Sequence, residues 1–211
     1  MTNTLGIFQP ELLHIKAGTL TCCGGDQDWY PTEWQRRSGC GPTVCAQLLR
    51  YLSQTRSGCA ALCAHDSSTQ EGFLSLMEEV WTYITPGRMG VNSTSIFTQG
   101  AVRYGLDRHI PLHCRVLEIP IKRSARPSPQ ELSSYLEASF ASDLPVAFLN
   151  LSNGALTVLE NWHWVTLVSF NPHTLQATMI DQGKTLSLDL GLWLRTTLLA
   201  GGFVTVDTLC R

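Results

Sequence analysis

Two kinds of periodicity divide the chain near Gly105, and their order constrains the fold more than any other feature of the sequence. Before that point apolar residues recur at helical spacing. Val44, Cys45, Leu48, Leu49 and Leu52 share one face of a helix expected over 40–53. Phe73, Leu76, Met77, Val80, Trp81 and Ile84 form the stripe of a second over 69–84, with Ser68 and Glu71 as its capping box and Pro86-Gly87 as its stop. A third is expected over 94–104, burying Phe97, Ala101 and Tyr104. Beyond Gly105 the apolar runs are short and rich in β-branched and aromatic residues: 110–119, 145–151, 163–170, 175–181, 184–190 and 203–209 read as strands. One helix interrupts them at 128–142, started by Ser128, Pro129 and Glu131 and faced by Leu132, Tyr135, Leu136 and Phe140. Helices followed by strands on short turns specify an α+β fold with a largely antiparallel sheet. Residues 1–37 hold apolar stretches and turns but no long periodic segment. With no internal repeat and one short linker-like passage at 122–129, 1–211 reads as a single domain of two lobes.

Charge excludes several functions. Lys and Arg total 15 against 17 Asp and Glu, a balance of -2, so there is no basic footprint for nucleic acid. No apolar run reaches the roughly 18–20 residues of a membrane span. The first residues lack the basic start and apolar core of a secretory signal, which leads to the expectation of a soluble, cytoplasmic protein. Its 8 cysteines are then expected to be mainly reduced thiols rather than a disulfide framework.

Among those thiols Cys40 has the most informative setting. It lies in Ser38-Gly39-Cys40-Gly41-Pro42-Thr43, directly ahead of the first amphipathic helix. A helix N-terminus presents unpaired N–H groups and partial positive charge, which favour a thiolate. Glycine on both sides leaves room for another molecule's backbone, and Pro42 is tolerated where N–H groups lack intrahelical partners. The bland alternative is a small buried residue at a helix start.

A cysteine nucleophile needs a base, and the base an orienting group. His163 opens one strand and Asp181 closes the next. If the two strands pair antiparallel, the start of one lies beside the end of the other and the side chains can meet. Spacing alone does not bring either to Cys40. A histidine on a strand is, taken alone, more often structural than catalytic, and Trp162 and Trp164 read either as core or as a shield for a Cys–His pair.

Gly39-Cys40-Gly41-Pro42-Thr43 leading a helix, His163-Trp164 on a strand and then Ile180-Asp181 resemble the papain-like cysteine peptidases, most closely the branch that cleaves double-glycine leader peptides of bacteriocins. The resemblance covers roughly 33–185. It implies a papain-like α+β fold with Cys40 as nucleophile, His163 as base and Asp181 as orienter. It also implies an oxyanion-hole glutamine shortly before the cysteine, for which Gln35 is the candidate although it lies five residues ahead where six is usual. The implied chemistry is acyl transfer to water on a peptide or protein substrate, with no cofactor. A same-fold acyltransferase or amidase, and a non-catalytic peptide-binding module, remain open. No transporter segment is attached, so a leader peptidase of this length is expected to act alone or with a separate partner.

Other constellations are weaker. Cys59, Cys63 and His65 supply half of a zinc set, for which His109, His113 and Cys114 would have to supply the rest. Cys22-Cys23 read as strand or turn residues, Cys210 as terminal. Gly24-Gly25 and Gly201-Gly202 read as turns without the spacing of a phosphate loop.

Overall fold

In the computed structural model, which describes residues 4–208, the two periodicities become the two halves of an α+β fold. The first half comprises β1 (Leu5–Gly6), the hairpin β2 (His14–Ala17) and β3 (Leu20–Cys23), then α1 (Glu33–Ser38), α2 (Cys40–Thr55), α3 (Gln70–Trp81) and α4 (Thr94–Asp107). The second comprises β4 (Leu112–Ile119), α5 (Pro129–Ala141), β5 (Val146–Asn150), β6 (His163–Phe170), β7 (Gln176–Asp181), β8 (Lys184–Asp189), α6 (Leu190–Thr196) and β9 (Gly201–Thr208). Leu209, expected to close the last strand, and Cys210 lie outside the described residues.

The main sheet runs β4-β9-β5-β6-β7-β8 with every neighbouring pair antiparallel, and β1 joins β6 past the end of β5. Its inner strands alternate between two buried clusters. Ala147, Leu149, Trp164 and Val204 face α2, α3 and α4, whereas Val146, Phe148, Val165 and Phe203 face α5 and α6. α2 is buried from Cys40 through Leu52, so it is the central helix of the first cluster rather than a surface amphipath.

Several boundaries differ from expectation for local reasons. α3 is capped by Thr69, whose hydroxyl accepts from Gly72 N–H, because the Ser68 hydroxyl bonds Asp66 instead. It ends at Trp81, ahead of Pro86. α4 continues through Gly105 to Asp107. The strand expected over 184–190 stops at Asp189, where the carboxylate caps α6 by accepting from Leu192 N–H. The β2–β3 hairpin and α1 were invisible to periodicity because four- and six-residue elements are too short to show one.

One irregularity matters for the site. Thr166 pairs with Ile180 and Leu167 with Met179, but Ser169, not Val168, pairs with Thr178. Val168 is therefore a β-bulge, one extra residue in β6. Leu167 and Phe170 both lie in the α5–α6 cluster although three positions apart, as the bulge requires. The N-terminal segment covers it: Ile7 N–H donates to the Val168 carbonyl at 3.0 Å.

Candidate active site

Cys40 is the first residue of α2. Gly39 precedes it without offering a side-chain cap, so the first N–H groups of the helix stay directed at the thiol end. Both flanking glycines are required by the protein's own packing. A Cβ at Gly39 would stand 2.4 Å from the Tyr30 ring, and one at Gly41 2.9 Å from Val91. The room expected there for another molecule's backbone is thus filled by Tyr30 and Val91.

His163 and Asp181 are delivered by the β6–β7 ladder. Continuing the register from Thr166–Ile180 sets Val165 opposite Asp181, and His163 lies two residues further along β6, so the ends of the two strands bring the side chains within reach. Gln182 and Gly183, both at positive φ, form the two-residue turn into β8 and make Asp181 the last strand residue. His163 Nε2 and Asp181 Oδ1 are 2.7 Å apart. That leaves Nδ1 for Cys40, which hydrogen-bonds the ring. Burial by itself would lower the pKa of His163. Hydrogen bonds to Asp181 and Cys40, together with their negative charge, outweigh it and raise the ring to about 10. The imidazole is accordingly held in its protonated form at neutral pH beside the Asp181 carboxylate.

Cys40, His163 and Asp181 line one cavity of about 10 Å³, room for roughly a single water. Gln27, Thr43 and Gln47 line it too. Gln47 lies seven residues past Cys40 on the same helical face, and its Oε1 is buried without a partner. That spacing was legible in the sequence. Gln27, in a short 3₁₀ turn over Gln27–Trp29, carried no signal because its approach depends on the chain folding back after β3.

Gln35 does not reach this cavity. Its backbone N–H donates to the Thr32 hydroxyl, and its side-chain oxygen accepts from Thr32 N–H and O–H, completing the capping box of α1. The expected placement of Gln35 beside Cys40 is therefore corrected: α1, unforeseen, turns that side chain back on its own N-terminus. Trp164 is core, stacked on Phe97 at 4.5 Å and donating its Nε1–H to the Val91 carbonyl at 2.6 Å. Trp162 stands at the rim, exposed, with φ of 58°. Asn161 Oδ1 accepts from Asn153 N–H. Among the described residues no three metal-ligating side chains converge. His65 bonds Glu79 at 2.7 Å, which Arg108 also grips, and Cys114 sits in β4. Cys22 and Cys23 are in β3.

No protein-family model matches the chain. No curated protein matches its sequence. Solved structures share its shape at low identity. UfSP from C. elegans has 11% identity and a TM-score of 0.50, over 100% of this chain and 35% of that one, so this chain spans about a third of that structure's length. A double glycine motif protease from an AMS/PCAT transporter, in complex with the leader peptide, has 14% identity and a TM-score of 0.42 over 80% of this chain and 84% of that one. The Pseudomonas avirulence protein AvrPphB has 10% identity and a TM-score of 0.36 over 85% and 98%. The architecture is the papain-like α+β fold. No helix of the described residues is long and apolar enough to cross a membrane.

Proposed function

We propose that this protein is a cysteine peptidase in which Cys40 is the nucleophile, His163 the proton carrier and Asp181 the group that orients His163. The supporting observation is the 2.7 Å contact of His163 Nε2 with Asp181, with the same ring bonded to a thiol at a helix N-terminus. The Cys40 thiolate adds to the carbonyl carbon of a peptide bond, forming a C–S bond and an oxyanion. As the C–N bond breaks, the His163 imidazolium gives its proton to the departing amine. Neutral His163 then takes a proton from water, whose oxygen attacks the thioester carbonyl. The acid leaves and the Cys40 thiolate returns. The Cys40 backbone N–H is one oxyanion donor, and the Gln27 amide, which shares the cavity, is the second.

Hydrolysis of a pool of internally quenched peptides tests this reading. Wild type is expected to turn over pool members and Cys40→Ala none, with a covalent acyl adduct on Cys40 visible by mass spectrometry at early times. Absence of turnover, together with iodoacetamide labelling of Cys40 no faster than of the other thiols, rejects it.

A further inference from the structure

Beside the small cavity, Cys40 also opens on a second, larger depression of about 350 Å³. Its walls are Trp34 from α1, Trp162 from the segment before β6, and Met89 from the loop after α3. These are large apolar side chains left 48%, 43% and 56% exposed. The other tryptophans are buried or half-buried. Exposed apolar groups gathered at one groove mark a binding surface, and Trp with Arg is the pairing that carries most energy in such surfaces.

The charges of the groove have one sign. Arg37 and Arg88 line it and no acidic side chain does. Arg37 has a loose partner one turn back, Glu33 at 3.8 Å, both nearly fully solvated. Arg88 has no hydrogen bond or ion pair among the described residues. It sits with Met89 at the tip of a tight turn closed by Gly87 and Gly90, whose N–H and C=O groups bond each other at 3.2 and 2.9 Å. The turn is rigidly seated: next to it, Val91 packs against Gly41 and its carbonyl accepts from Trp164. On the facing wall Trp162 holds a left-handed backbone conformation, costly for an aromatic residue, of the kind that collects at ligand-contacting sites.

We infer that this groove selects an extended peptide segment bearing a carboxylate side chain next to an apolar one, the apolar group lying among Trp34, Met89 and Trp162 and the carboxylate pairing with Arg88 and Arg37. The inference rests on the peptidase reading for its consequence, since it defines which peptides are presented to Cys40, but peptide binding tests it without turnover. Two peptides, Ala-Phe-Glu-Glu-Phe-Ala and Ala-Phe-Lys-Lys-Phe-Ala, each amidated, acetylated and carrying a neutral fluorophore, are titrated with the full chain and followed by anisotropy at low salt. The glutamate peptide is expected to bind at least about fivefold tighter, the value of two exposed ion pairs. The preference should shrink with added salt and reverse in the double variant Arg37→Glu, Arg88→Glu. Trp162→Ala should weaken both peptides alike. Equal binding of the two peptides, no binding of either, or an unchanged preference in the charge-reversed protein overturns the inference. Each variant's thermal midpoint is measured alongside, and if the double variant fails to fold, the single variant Arg88→Gln, at an exposed turn, is expected to shrink the preference without reversing it, an unchanged preference again overturning the inference. Selective labelling of Cys40 by iodoacetamide is scored separately: it reports the nucleophile reading and is indifferent to the groove's preference.

Discussion

His163 and Asp181 meet at 2.7 Å across two adjacent strands although 18 positions separate them in sequence. The carboxylate fixes which imidazole nitrogen carries the remaining hydrogen bond, and so which one faces Cys40. Removing it should leave Cys40 in place and disorganise its partner. Asp181→Asn is expected to retain the ring's position but lower kcat by about 10²–10⁴, the range of a lost acid–base contribution. His163→Ala should go at least as low. Steady-state rates on any peptide of the cleaved pool check both, and a change below tenfold in Asp181→Asn removes that residue from its role.

The thiol provides a second prediction. Cys40 combines a helix N-terminus with an imidazolium partner, the setting in which cysteines become reactive. At pH 5–6 iodoacetamide should therefore alkylate Cys40 ahead of the others. By contrast, burial pushes Cys114 up to about 12 and Cys45 well above its usual range. His163→Ala should abolish the selectivity, which peptide mass mapping after brief labelling reads directly.

The stability of the fold should carry the same signature. The pKa of His163 is raised in the folded chain, from 6.5 to about 10. Such a group stabilises the native state fully below its unfolded pKa, and the contribution is lost as pH rises towards the folded value. The thermal midpoint of wild type is expected to fall between pH 7 and 10, at about 2–4 °C per kcal/mol for a chain of this size. Asp181→Asn should flatten that slope. An identical slope in both proteins refutes the coupling.

Gln27 and Gln35 can be told apart. Loss of one oxyanion donor typically lowers turnover by about 10²–10³. Gln27→Ala should show that loss in kcat with little change in unfolding midpoint. Gln35→Ala should instead remove the reciprocal half of the α1 capping box, about 0.5–2 kcal/mol of local stability at most, and leave kcat within threefold.

The packing of Gly41 gives a prediction about the groove. A methyl at this position meets Val91 Cβ at 2.9 Å, too close without movement of the backbone that carries Arg88 and Met89. Gly41→Ala is expected to cost about 1–3 kcal/mol by overpacking. Val91→Ala in the same chain should recover part of it, since the added methyl then has room. Chemical denaturation of the single and double variants measures the coupling.

The elements that repeat long enough to show a period were legible in the sequence: α2 from Val44 to Leu52, α3 from Phe73 to Val80, and the strands holding His163 and Asp181. So was the approach of those two residues, because adjacent antiparallel strands joined by the short turn at 171–175 leave little alternative. The misplacement of Gln35 has a physical source in Thr32, whose capping of a six-residue helix no apolar pattern announces. Gln27 and Arg88 were missed for a related reason. Each sits in a short turn whose position depends on contacts with distant residues, Gln27 after the β2–β3 hairpin and Arg88 beside Val91, and sequence spacing does not carry such information.

The bulge at Val168 has a consequence that no side chain in the site reveals. The ladder skips Val168, so the residues of β6 ahead of it keep the alternation that those behind it require, and Leu167 shares a face with Phe170 although three positions separate them. The strand thus carries an odd residue without turning His163 away from Asp181. Deleting Val168 would leave a regular ladder in which His163 keeps its carboxylate, whereas one residue added or removed between His163 and Thr166, where no bulge absorbs it, would shift His163 against Asp181. Length can change at one point of this strand and not at another, and Ile7, just past the short N-terminal strand, covers the point where it can by donating to the Val168 carbonyl.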